Sequence, residues 1–150
     1  MKEADAYRRY LETLAPETLP QLSQYVTPDV HFMDPFNDVR GLDALRRVLE
    51  GMFDSVQDVV FRVDALGLDG PVALISWQFS GVLRGRAFTL YGTSKIRFSE
   101  DGRVIEHFDH WDSATQFYMH LPVIGSLLSF VRRRIASPDQ TLPDDPYSRF

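Results

Sequence analysis

The feature that most constrains this chain is a change of hydrophobic period at Asp58. From Val59 onward apolar and polar residues alternate, as half-buried strands require, in four segments: Val59–Leu68, Pro71–Leu83, Arg86–Phe98 and Arg103–Asp112. The joints between them are Asp69-Gly70, Arg84-Gly85 and Glu100-Asp101-Gly102, all suited to hairpin connections. Before Asp58 the period is helical. Ala6, Tyr7, Tyr10, Leu11 and Leu14 recur at helical spacing over Lys2 to Leu14, and Leu19, Leu22 and Val26 line a shorter helix from Glu17 to Tyr25. Thr27-Pro28-Asp29 is a breaker, Val30 to Met33 reads as a short strand, and Asp34-Pro35-Phe36-Asn37-Asp38 is turn chemistry. A third helix is expected from Leu42 to about Ser55, with Leu42, Leu45, Leu49, Met52 and Phe53 on one face.

Helices first and a long meander afterwards predict an α+β domain whose curved antiparallel sheet wraps around the N-terminal helices. Such a sheet has a concave face that can become a pocket. The chain of 150 residues suits a single domain, placed here at 1–136, with its core at about 3–112 and C-terminal helices at about 113–136. In that extension Pro122 is a break, and Val123, Ile124, Leu127, Leu128, Val131 and Ile135 return to helical spacing. Arg132, Arg133 and Arg134 complement the dipole at that helix's end, and 137–150 reads as a loose tail.

Charge and composition exclude several classes of function. A formal net charge of −5 argues against binding nucleic acid through a general basic surface. No cysteine is present, which removes disulfides, thiolate metal sites and a cysteine nucleophile. No apolar run approaches the roughly 18 residues of a spanning helix, and no signal core opens the chain, so a cytoplasmic protein is expected. The three arginines beside an apolar helix face admit a membrane-surface reading. A helix packed across the domain or against a second subunit is the preferred one.

Strand alternation divides the candidate residues between two faces. Ile105, His107, Asp109 and Trp111 share one face of the last strand, opposite Glu106, Phe108, His110 and Asp112. In the strand before, Phe88, Leu90, Gly92, Ser94, Ile96 and Phe98 alternate with Thr89, Tyr91, Thr93, Lys95 and Arg97; in the one before that, Ile75, Trp77, Phe79 and Gly81 form one set. His107 and Asp109 stand side by side, and a carboxylate next to an imidazole holds its tautomer and raises its basicity. The competing reading is a structural hydrogen-bonded pair. His110 and Asp112 repeat the spacing on the other face, where a surface or dimer contact is expected. Asp34 is either a general base among apolar walls or the cap of its own Asp-Pro turn. No zinc-like spacing is present, so no metal is expected.

The order of elements resembles the nuclear transport factor 2-like (cystatin-like) superfamily, a cone-shaped fold shared by ketosteroid isomerase, SnoaL-like polyketide cyclases and scytalone dehydratase. The resemblance covers about residues 3 to 112. It is sharpest at Tyr7-Arg8-Arg9-Tyr10, Phe32-Met33-Asp34-Pro35 and Gly102-Arg103-Val104-Ile105-Glu106-His107. It implies that the His107 face points into the cone. By likeness to ketosteroid isomerase, Tyr10 would donate to a substrate oxygen and Asp34, 24 positions later, would be the base. Ser94 falls where that enzyme carries a protonated aspartate, a departure that replaces a carboxylic acid with a weaker donor. By likeness to the cyclases and the dehydratase, the pair His107 and Asp109 is favoured.

Two functions follow as expectations. The first is a cofactor-independent isomerase, cyclase or dehydratase acting on a small apolar organic ligand. Asp34 or the His107–Asp109 pair would be its base, Tyr10 and Ser94 its oxygen donors, and Trp77, Phe79, Trp111, Phe32 and Leu90 its walls. The second is a non-catalytic ligand-binding or protein-interaction module of the same fold. A homodimer is expected in either case, through the polar-aromatic outer face around Tyr91 and Thr93.

Overall fold

The alternation that begins after Asp58 builds most of one sheet. The computed structural model describes residues 2–116, and the chain divides into units after Trp111. In the first unit, α1 (Lys2–Glu12), a 3-10 turn (Leu19–Gln21) and α2 (Leu22–Tyr25) lead into β1 (Val26–Met33) and β2 (Asp38–Arg40). Then come α3 (Leu42–Ser55), β3 (Val56–Asp69), β4 (Val72–Leu83), β5 (Arg86–Phe98) and β6 (Val104–Trp111). Beyond the division lies α4 (Ser113–Gln116). The expected helix over Val123 to Ile135 and the tail 137–150 lie outside the described residues.

The sheet has six strands in the order β2-β1-β6-β5-β4-β3. The meander from β3 to β6 is antiparallel throughout, as the hairpin joints require. The β4–β5 turn is tight because Arg84 and Gly85 both take positive φ, 51° and 78°, which matches the twist of the paired strands. One ladder departs from the expected antiparallel sheet: β1 runs parallel to β6, making the sheet mixed. That pairing joins the chain's first strand to its last, and local periodicity carries no trace of it.

Differences at the N-terminal half have local causes. The expected breaker Thr27-Pro28-Asp29 lies inside β1, where the ladder to β6 skips from Val26 to His31. Proline has no N–H to give a ladder, so the strand stays extended while its pairing lapses. The expected helix from Glu17 splits into the 3-10 turn and α2, with Pro20 in the first positions of the turn. The short β2 adds a strand to the expected set. It pairs with β1 across the Asp34 turn, matching Met33 to Asp38.

The core lies between the helices and one sheet face. Ala4, Tyr7 and Leu11 of α1 are buried at a spacing that gives one helical stripe. α1 packs on β3, and α3 packs on β1 and β3. Ala73, Ile75 and Trp77 of β4 face the same interior as Leu90, Ser94, Ile96 and Phe98 of β5. A bulge between Arg97 and Phe98 puts Val104, rather than the expected Ile105, fully inside opposite Phe98. On the other face Arg97 grips Glu106 through two N–H···O bonds of 2.8 and 2.5 Å. The free edge of β3 is partly covered: the Val63 N–H donates to Glu12 Oε1 of α1 at 3.1 Å, blunting an otherwise open strand edge.

Gly92 sits opposite Trp77 across β4 and β5. A Cβ there would come within 2.4 Å of the indole ring, so only glycine admits it. Gly92→Ala is expected to cost about 1–3 kcal/mol, the usual range for overpacking a filled core. Urea unfolding checks this, and a loss below about 0.5 kcal/mol, the range of neutral surface changes, would mean the ring moves aside freely.

Candidate active site

Four elements bring one polar chain into the apolar interior. The sheet register sets Ser94 beside Asp109 and Ile96 beside His107, while Ile75 neighbours Ser94 on β4. Trp77, two residues along β4, therefore reaches Ser94 diagonally, and its indole Nε1–H donates to Ser94 Oγ at 2.7 Å. Indole nitrogen only donates, so the Ser94 hydroxyl proton is free to point onward, and it goes to Asp109 Oδ1. From the other side His107 Nε2 meets the same Oδ1 at 2.8 Å, and α1 places the Tyr7 hydroxyl 2.8 Å from His107 Nδ1.

The proton positions follow from the chemistry of the partners. A carboxylate accepts only, so Nε2 carries a proton, and in the neutral imidazole Nδ1 is then the acceptor. Tyr7 donates to that Nδ1 through its hydroxyl. Burial, and secondly the charge of Asp109, push its hydroxyl well above the usual tyrosine value, so it stays protonated. Two donor chains thus converge, Trp77 to Ser94 to Asp109 and Tyr7 to His107 to Asp109, and both end on one oxygen.

The second oxygen, Oδ2, has no hydrogen-bond partner among the described residues, yet it is not sealed in. The one buried and unpartnered side-chain polar atom among the described residues is Thr27 Oγ1. The Asp109 side chain is 19% exposed against 5% for that of His107. Phe88, Gly92 and Trp111 on the same inward face are likewise only partly covered. The network is therefore closed at its His107 end and open at Asp109 Oδ2.

The family profile of the SnoaL-like domain matches residues 7–107. The chain belongs to the SnoaL-like family. Solved structures carry the same fold. An NTF2-like protein of unknown function from Exiguobacterium is 19% identical, covering 73% of this chain and 98% of its own, with a TM-score of 0.64. A SnoaL-like polyketide cyclase from Agrobacterium tumefaciens is 20% identical over 73% of this chain and 91% of its own, with a TM-score of 0.63. An LEH-like epoxide hydrolase from M. tuberculosis is 18% identical over 91% of this chain and 95% of its own, also with a TM-score of 0.63. Identities this low speak for the fold alone. Among curated proteins none matches the chain.

Within this SnoaL-like domain the expected site residues separate. His107, Asp109, Ser94 and Trp77 come together. Asp34 does not join them: its Oδ1 accepts from the backbone N–H of Phe36 and Asn37 at 2.7 and 2.6 Å, and the Asn37 side-chain amide bonds both its oxygens at 3.0 Å. It caps the β1–β2 turn. Tyr10 also stands apart, stacked on Tyr25 with ring centroids 4.3 Å apart and its hydroxyl 3.5 Å from the Thr18 carbonyl. Ser94 is bonded on both sides, so its hydroxyl proton already goes to Asp109. Phe32 lies edge-on to His107 with centroids 5.5 Å apart, Trp111 meets Phe36 at 5.4 Å, and Phe79 meets Phe88 at 5.8 Å. Leu90 is buried in the same wall.

Tyr7 is a site residue that sequence reasoning does not single out. The two tyrosines occupy one stripe of α1, and the choice between them depends on where α1 meets β6. A second pair, His31 Nε2 to Asp38 Oδ1 at 2.6 Å, lies where Asp38 is largely exposed and is a surface contact. Among the described residues no group of three or more His, Asp or Glu side chains could hold a metal ion. No helix among them is long and apolar enough to cross a membrane.

The tyrosines make stability depend on alkaline pH. Burial, then the neighbouring Tyr25, pushes Tyr10 up to about 12, partly opposed by Arg46, and Tyr7 is also raised. A tyrosine that ionises near pH 10 only when unfolded adds stability that is complete below about pH 10 and is lost as pH rises through its folded-state value. Unfolding free energy should therefore decline from about pH 10 upward, and the double variant Tyr7→Phe, Tyr10→Phe should decline less steeply. Urea titrations at a series of pH values measure both slopes; equal slopes would assign the decline to other groups.

Proposed function

We propose that this SnoaL-like chain is a cofactor-independent acid/base enzyme that moves a proton on a small, largely apolar organic substrate, with Asp109 as its base. The observation that supports this reading most is the asymmetry of the carboxylate: Oδ1 holds two donors, and Oδ2 has none among the described residues. Donors on one oxygen fix the side chain in place, while the free lone pairs of the other remain for a substrate proton. Oδ2 would take a proton from a carbon next to a carbonyl. Returning it from Asp109 to another carbon is isomerisation; passing it to a hydroxide that departs as water would be dehydration, and passing it to the alkoxide formed when the enolate carbon attacks a second carbonyl would be cyclisation. His107 is a positioning residue in this scheme, because both of its nitrogens are already bonded. Asp34, tied into its turn, has no part in it.

Proton exchange tests the reading without a known product. Enolisable aryl ketones are incubated with the protein in deuterium oxide, and loss of the α-proton signal is followed by NMR. Exchange that depends on Asp109 supports the enzyme; exchange at the buffer rate in the unaltered protein overturns it. A ligand carrier is the second reading, favoured by the Trp77 indole, which fills the interior over Gly92. It predicts saturable binding of the ketones with no exchange.

A further inference from the structure

The polarity of the buried network defines the ligand more narrowly than apolar walls do. With the imidazole neutral, every hydrogen bond in it points toward Asp109: Trp77 can only donate, Ser94 donates onward, and Tyr7 donates through His107. Among the described residues the interior thus ends in an acceptor with an unused oxygen, and the network leaves no donor of its own unspent. None of its hydrogen bonds comes from a lysine or arginine. Arg46, which acts on Tyr10, is paired with Asp43 at 3.1 Å. With His107 as the neutral imidazole, the carboxylate is balanced by hydrogen bonds rather than by a cation and keeps its negative field, which repels a second anion strongly where water is scarce.

We infer that the ligand of this site is a neutral molecule that directs a hydrogen-bond donor, such as a hydroxyl, at Asp109 Oδ2, and that anionic ligands are refused. The inference rests on Oδ2 being the working oxygen of the proposed function, and it adds the substrate class. A neutral O–H satisfies a charged acceptor without bringing a second charge out of water, and hydrogen bonds to charged groups are among the stronger ones. The partly covered Trp111, two residues along β6 from Asp109 on the same face, supplies apolar surface for the rest of the molecule.

Three probes of one shape test this: 2-naphthalenemethanol, its methyl ether, and 2-naphthoate, titrated calorimetrically into the full chain at neutral pH. The alcohol should bind at least about tenfold more tightly than the ether, and naphthoate should show no saturable binding. In Asp109→Asn, which keeps shape and removes charge, the alcohol's advantage should shrink and naphthoate binding should appear. Naphthoate binding as tightly as the alcohol in the unaltered protein overturns the inference, as does equal binding of alcohol and ether or no binding of any probe. These comparisons stand on the unaltered protein even if the variant does not fold, which circular dichroism reports. Alcohol selectivity without ketone exchange removes the enzyme and keeps the inference; exchange with preferred naphthoate binding does the reverse.

Discussion

Asp109→Asn is expected to slow ketone proton exchange by about 10²–10⁴-fold, the contribution usual for a positioned general base. The substitution is nearly isosteric. Its carbonyl can still accept from Ser94 and His107, which meet at Oδ1 in the native chain. What changes is the other arm, where an N–H₂ group replaces the open oxygen and donates where a base must accept. Such a loss corresponds to about 2.7–5.5 kcal/mol in activation free energy, so it is separable from any small change in stability. Asp34→Asn is the companion measurement, because Asp34 is occupied by the turn. Its exchange rate should stay within about threefold of the unaltered protein, well short of the effect of losing a base. A reversed order, with Asp34→Asn inactive and Asp109→Asn active, would return the base to the β1–β2 turn.

Trp77→Ala should be the most destabilising single change in the interior, by about 3–5 kcal/mol. The residue is 4% exposed, and its ring lies against Phe61 with centroids 5.4 Å apart. Removing it empties the space that Gly92 keeps open and takes away the donor to Ser94 Oγ. Trp77→Phe retains most of the ring and loses the N–H, so it should cost about 1–3 kcal/mol, the range for stranding a buried polar partner. Measured by urea unfolding, the first loss is large beside a typical total stability of about 5–15 kcal/mol. Equal losses for the two variants would mean that the hydrogen bond, and not the packed ring, is what the site needs.

The parts of the site legible in the sequence are those governed by period two. Alternation alone puts His107 with Asp109 and Ser94 with Ile96, and the hairpin joints bring those strands side by side. Asp34 shows the opposite case. Its Asp-Pro turn chemistry and its likeness to a catalytic position are both readable, and one residue type fits both. The decision comes from Asn37, whose amide and backbone close around the carboxylate. The inward direction of Ser94 is readable too, but the engagement of its hydroxyl on both sides is not, since its two partners arrive from the strands flanking β5. Tyr7 and Tyr10 differ by less than one helical turn, which is finer than hydrophobic periodicity resolves.

By itself the sequence determined the α+β class, the helical stripe of α1, the bounds of α3, the meander from β3 to β6 and the sharing of one strand face by His107 and Asp109. These follow from local rules, helical spacing, strand alternation and turn chemistry, each acting over a few residues. Only the tertiary structure decided that β1 lies parallel to β6, that Tyr7 rather than Tyr10 meets His107, and that both donor chains end on a single oxygen of Asp109. Those outcomes join residues as far apart as Tyr7 and His107, and they depend on where packed elements come to rest. A hydrogen bond is made or lost within less than an ångström, a distance that no residue pattern along the chain encodes.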